Sequence, residues 1–201
     1  MKKILFFTLF SISLFAEATV YFGVDYGAYH ENFTKNDAKA QVSSTIKAKL
    51  GYGLRKAYSV EINAEKTNNQ HALIQNANSN NIDITQNSKL SVNVSLQKAF
   101  DPGIFVFPFF KAGFGAGKIS VTATGKDLDG NDKDVTDLNF GSFNLGAGFL
   151  IPINESFDVE VGYDFRYQSY ENLDASTTNN EKGPEFESKV NITYIGLNYR
   201  F

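Results

Sequence analysis

Cysteine and tryptophan are absent from the 201 residues, methionine occurs once, histidine twice and proline four times. Without cysteine there is no disulfide, no thiolate nucleophile, no sulfur-ligated metal and no residue for lipid attachment. With only His30 and His71, chemistry that needs a placed histidine has little to draw on. Past the first fifteen residues no apolar run reaches about 18 residues, so no transmembrane helix is encoded. Charge of one sign is lacking too: 19 Lys and Arg stand against 22 Asp and Glu, a balance that argues against nucleic acid as a partner.

What is present begins with an export signature. Met1-Lys2-Lys3 is positive, Ile4 to Phe15 is apolar, and Ala16-Glu17-Ala18 is a small-x-small site. Residues 1–18 read as a secretory signal peptide, cut after Ala18 or after Ala16. The apolar run falls short of the about 20 residues that a membrane anchor needs. Residues 19–201 then form one domain with 17 basic and 21 acidic side chains.

That domain alternates. Val20, Phe22, Val24, Tyr26 and Ala28 oppose Tyr21, Gly23, Asp25, Gly27 and Tyr29, the period-2 pattern of a strand between unlike solvents. The same pattern recurs through Val42–Leu54, Tyr58–Glu65, Ile84–Gln97, Phe110–Gly117, Phe143–Ile151, Phe157–Gln168 and Ile195–Phe201. Ile104 to Phe110 is apolar throughout and its phase is ambiguous. Leu138 and Phe140 fall out of phase with Phe143–Ile151, which predicts a bulge near Gly141, and Val190, Ile192 and Tyr194 predict a phase slip before Ile195.

Eight strands with every second residue apolar predict an all-β, eight-stranded antiparallel up-and-down transmembrane β-barrel, in which neighbouring strands satisfy all backbone groups. Connection lengths alternate as such a barrel requires. Residues 55–57, 101–103 and 152–156 are short, whereas 32–40, 66–82, 122–137 and 171–187 are long and polar. Short turns face the periplasm and long loops the outside. A soluble barrel or sandwich would also alternate, but the polar face here is rich in glycine. Aromatics also cluster at strand ends as an interfacial girdle, at Phe22, Tyr52, Tyr58, Phe100, Phe157, Tyr167, Tyr199 and Phe201.

Val20–Tyr29, Phe109–Gly117, Leu145–Phe149, Val161–Tyr167 and Gly196–Phe201, in that order, resemble the OmpA/OmpX-like small outer-membrane β-barrel family. The resemblance implies the outer membrane of a Gram-negative bacterium, with roles in adhesion, host interaction, envelope stability or slow solute passage. It also implies a C-terminal signal, Tyr199 and Phe201, read by the barrel assembly machinery. The sequence ends on Phe201, so the periplasmic anchoring module of larger members is not expected.

Three functional readings arise. The first is a structural or surface-interaction barrel that meets host or cell-surface ligands through four polar outer loops and lies among outer-membrane lipids and lipopolysaccharide. The second is a narrow pore gated by inward ion pairs. A hairpin with Leu54 opposite Tyr58 sets Lys47 facing Glu65, where the two should pair, and Lys49 diagonal to Glu61 and Glu65. Lys111, Asp164 and Arg166 join this luminal network, with Asp158, Glu160 and Arg200. Eight strands enclose a ring only about wide enough for side chains to fill, which favours a closed core. The third is a lipid A-modifying enzyme, but a Ser-His-acid set needs its base oriented by a third group and nothing local suggests one, so no catalytic residue, cofactor or metal is expected. In Asp127–Asp134 the spaced carboxylates suggest a calcium loop. Its first ligand position would be Gly125 and its bidentate position Thr136, so a solvated hairpin tip is the better reading.

Overall fold

The computed structural model describes residues 18–33, 41–68, 74–75, 83–124, 138–171 and 187–201. Eight long strands form the wall: β1 (Thr19–Phe33), β2 (Gln41–Gly53), β3 (Tyr58–Asn68), β4 (Asp83–Ala99), β5 (Phe107–Thr124), β6 (Leu138–Pro152), β7 (Phe157–Tyr170) and β8 (Glu187–Arg200). Each pairs antiparallel with its sequence neighbours. A two-residue strand, Ile74–Gln75, adds a short pairing on Asp83 and Ile84. β8 also pairs with β1, from Tyr21 opposite Arg200 to Phe33 opposite Ser188, so the sheet closes into a barrel without an edge. Among the described residues no helix is long and apolar enough to cross a membrane, and the crossing is made by strands.

The alternation sorts side chains inside out. On β3, Tyr58, Val60, Ile62 and Ala64 face outward while Ser59, Glu61, Asn63 and Glu65 are buried. Phe114 on β5 is 70% exposed, while Lys49 on β2 is 1% exposed. In water such an exterior would expose far more contiguous apolar surface than a soluble domain tolerates. In hydrocarbon it is the favoured face, and this excludes the soluble alternative.

The strands run further than the periodicity predicts, because residues near their outer ends are polar on both faces and carry no contrast to read. Two expected irregularities are absent. Phe140 is buried on the same face as Ser142, and β6 pairs in unbroken register from Leu138 to Leu150, with no bulge at Gly141. Likewise β8 holds one phase from Glu187 to Arg200, with Val190, Ile192 and Tyr194 facing inward. Apolar side chains had broken the pattern there because they fill the lumen. The ambiguous start of β5 resolves in the same way, since Phe107 and Phe109 point inward and pack with Ala99 and Leu150. A register shift does occur in β4, between Gln86 and Ser88.

At the short-turn end the connections are tightly bonded. Leu54 N–H donates to the Tyr58 carbonyl at 2.9 Å and Ile153 N–H to the Phe157 carbonyl at 2.8 Å. Asp101 Oδ1 accepts the Gly103 amide at 3.0 Å and pairs with Lys56 at 2.9 Å. Lys56 and that amide hold the Asp101 carboxyl below its usual range. Gly103 has φ of +78°, a left-handed conformation open to glycine at little cost. Around this rim lie aromatic pairs, Phe157 with Tyr199 and Tyr199 with Phe201, each with centroids 5.0 Å apart.

Candidate functional site: a charged, filled lumen

Inward phase collects the charged side chains that the exterior cannot tolerate. Among the described residues six buried cations (Lys47, Lys49, Lys89, Lys111, Arg166, Arg200) meet seven buried carboxylates (Asp25, Glu31, Glu61, Glu65, Asp158, Glu160, Asp164). Arg55 reaches in from the β2–β3 turn to Asp158 at 3.0 Å and evens the count. Carboxylates and cations kept from bulk water need each other, since the attraction between them grows as the dielectric falls.

Most of the pairs span the lumen, and Asp25 adds ties along the wall to Lys47 and Lys49 of the neighbouring strand. Lys49 Nζ lies 2.8 Å from Asp25 Oδ1 and 2.5 Å from Glu160 Oε2. Lys47 Nζ is 3.1 Å from Asp164 Oδ2 and 3.4 Å from Asp25 Oδ2. Lys111 joins Asp164 at 3.0 Å and donates to Tyr194 Oη at 2.7 Å, which donates in turn to Glu160 at 2.8 Å. Arg166 grips Glu65 with both arms, at 3.0 and 2.6 Å.

Lys47 and Glu65 do stand opposite each other in register, but they do not form the expected pair. The planar guanidinium of Arg166 matches both oxygens of Glu65 as a single ammonium cannot, and Lys47 extends instead to the shorter acids of β1 and β7. Glu61 is another departure. It accepts from Tyr21 Oη at 3.3 Å and Asn63 Nδ2 at 3.4 Å, and no cation lies within ion-pair distance among the described residues.

A second cluster, not anticipated as a site, plugs the outer end. Lys89 Nζ bonds Tyr29 Oη at 2.8 Å, Glu31 Oε1 at 2.9 Å and Tyr170 Oη at 2.7 Å, and also Gln168 Oε1. Ser188 Oγ donates to Glu31 at 2.7 Å. Lys89 shares the inward phase of β4, whereas Glu31 lies beyond the periodic part of β1, where sequence contrast fades. At the inner mouth Arg200 joins Asp158 at 2.8 Å. Arg55 Nη2 donates there to the carbonyls of Asn154 and Glu155 at 2.9 and 2.7 Å, strapping two turns together.

Little space remains. A central cavity lined by Asn63, Asn93, Lys111, Asn144, Asp164 and Arg166 measures about 10 Å³, room for a single water. Glycine makes this density possible where walls and rings meet: a Cβ on Gly51 would enter the Tyr21 ring. Among the described residues no three His, Asp or Glu side chains are grouped to hold a metal. His30 is exposed on the outward face. His71, Asp127–Asp134 and residues 1–17 lie outside the described residues. Tyr199 and Phe201 sit at the inner rim beside β1, where the Phe201 amide donates to the Val20 carbonyl at 3.1 Å.

An apolar exterior, a closed antiparallel ring and a charged, packed interior define a small transmembrane β-barrel. The family model for the outer membrane protein beta-barrel domain matches residues 4–201, and the chain belongs to that family. Its members reside in the Gram-negative outer membrane. No curated protein matches the chain in sequence. Among solved structures it is similar to Neisserial surface protein A, with 16% identity, TM-score 0.62, and coverage of 92% of this chain and 99% of that one. It is also similar to Ail, the attachment invasion locus protein of Yersinia pestis, with 16% identity, TM-score 0.52, and coverage of 91% and 99%. Both likenesses are of fold.

Proposed function

We propose that this protein is a non-conducting outer-membrane barrel with a structural or surface-interaction role, working through the long connections at its outer end. The observation behind this reading is the filled lumen: charges compensated across the axis, aromatic and aliphatic plugs near both ends, and a central cavity of about 10 Å³. A ring that invests its interior in closure leaves its outer segments, residues 34–40, 69–82, 125–137 and 172–186, as the parts free to differ in what they bind. One structural neighbour is named an attachment invasion locus protein. The likeness between the two is of fold, so the name supplies a direction for testing. In the same reading residues 1–18 are removed on export, and Tyr199 and Phe201 are recognised by the barrel assembly machinery.

Two measurements test this function. Deleting residues 126–136 and 173–185 should leave heat-modifiable gel migration intact and abolish binding of expressing cells to host-cell or matrix surfaces; unchanged binding counts against the reading. In planar bilayers the refolded barrel should give no reproducible conductance steps. Steady steps that shift in Glu65→Ala would favour the pore instead.

A further inference from the structure

Among the described residues every buried lysine and arginine of the lumen has an acidic partner, whereas Lys66, Lys98, Lys118 and Lys189 on the outward face have none, and of these Lys66 and Lys118 lie closest together at one height. Lys66 on β3 and Lys118 on β5 are exposed and flank Leu90, the three residues lying directly opposite one another on adjacent strands. Strands are about 4.8 Å apart, so the two lysine Cα atoms are about 10 Å apart. Both ammonium groups can converge on one anion.

Their height in the wall identifies the solvent they meet. Lys66 is eight residues past Tyr58, and Lys118 eight past Phe110. With a rise of about 3.3 Å per residue and a tilt of about 40°, both lie about 20 Å above the inner rim. The exposed column below Lys66 is Tyr58, Val60, Ile62 and Ala64, and the lysine row itself still holds Ile46 and Leu90, so the two lysines stand near the upper edge of an apolar band about 25 Å tall. From there their long side chains can reach the headgroup level of the outer leaflet.

Directly beneath them the next outward row is small. Ala48, Ala64, Val92, Ala116 and Gly141 stand opposite one another on five adjacent strands. Phe114 and Phe143 face each other in the row below, centroids 5.4 Å apart. A shallow furrow therefore runs under the lysine pair, between larger side chains. By itself it would accept any hydrocarbon; the paired cations on its upper lip choose one whose headgroup is anionic.

We infer that Lys66 and Lys118 clasp a phosphorylated headgroup of an outer-leaflet lipid, with its acyl chain lying along the Ala64–Val92–Ala116 furrow. The site rests on the membrane-spanning exterior and is independent of what the outer loops bind. Lys98 provides an internal control. It lies at the opposite rim between Tyr58 and Phe110, its Nζ 4.1 Å from the Tyr58 ring centroid, and there the cation is already engaged by aromatic faces.

Native mass spectrometry of the refolded protein, with bis-phosphorylated lipid A and its dephosphorylated form as probes, tests the site. Wild type should retain the phosphorylated lipid about thirtyfold better, on the scale of two lysines near an anionic surface. Lys66→Ala/Lys118→Ala should lose that preference, Lys66→Arg/Lys118→Arg should keep it, and Lys98→Ala should leave it unchanged. Equal loss in Lys98→Ala, or an undiminished preference in the double alanine variant, overturns the proposal. So do displacement of the lipid by millimolar inorganic phosphate, which marks a soluble-anion site, and a lipid-independent dimer lost in the double variant, which assigns the face to a second copy.

Discussion

Glu61 and Glu65 stand on one inward face of β3, both essentially inaccessible, and they should answer differently to the same substitution. Glu65 is held bidentately by Arg166, so Glu65→Gln leaves that buried guanidinium only the longer contact to Asp164 at 3.7 Å and should cost about 3 kcal/mol. Glu61 has only a hydroxyl and an amide as donors, and Glu61→Gln should cost no more than about 1 kcal/mol. Urea unfolding of the detergent-refolded barrel, followed by gel migration, separates the two; equal losses would sink the assignment of partners. Glycines divide as sharply. Gly51→Ala thrusts a methyl into the Tyr21 ring and should cost about 1–3 kcal/mol, whereas a Cβ on Gly141 meets nothing within 4 Å and should be neutral in the same assay.

For whole strands, the outward faces were legible in the sequence because each pairs apolar positions with polar or glycine neighbours, as Tyr58–Glu65 does. Legibility failed where the lumen holds apolar groups. Phe140, Val190 and Ile192 are inward residues that look outward to a binary reading, and so a bulge and a phase slip were expected where the strands run straight. Partner identity was illegible for a different reason. Register along a hairpin is local, but Lys47 and Asp164 are 117 residues apart, and their meeting depends on closure of the ring. Turns carry a comparable long-range tie in Arg55. Arg55→Ala should leave β2 and β3 paired yet speed amide exchange in residues 153–157 by about tenfold, the loss of roughly 1.4 kcal/mol of local protection. Unchanged exchange there would show that the strap is ornamental.

At the scale of the molecule, the ring is built in sequence order and joined between its first and last strands. Removing residues 187–201 takes away one side of that joint, and the product should show no heat-modifiable band in detergent; a fast-migrating band would mean that seven strands suffice. The cross-lumen contacts of β7 with β2 and β3, Asp164 with Lys47, Glu160 with Lys49 and Arg166 with Glu65, join strands that lie far apart in an open sheet and touch only after β1 meets β8. Parting that seam would break all three cross-ties at once, leaving Lys47 and Lys49 only Asp25 of the neighbouring strand and Asp164 only Lys111 and Arg166. The barrel should therefore come apart in one concerted step, and its durability is expected to be a matter of time, a half-life set by the height of that barrier, more than of equilibrium.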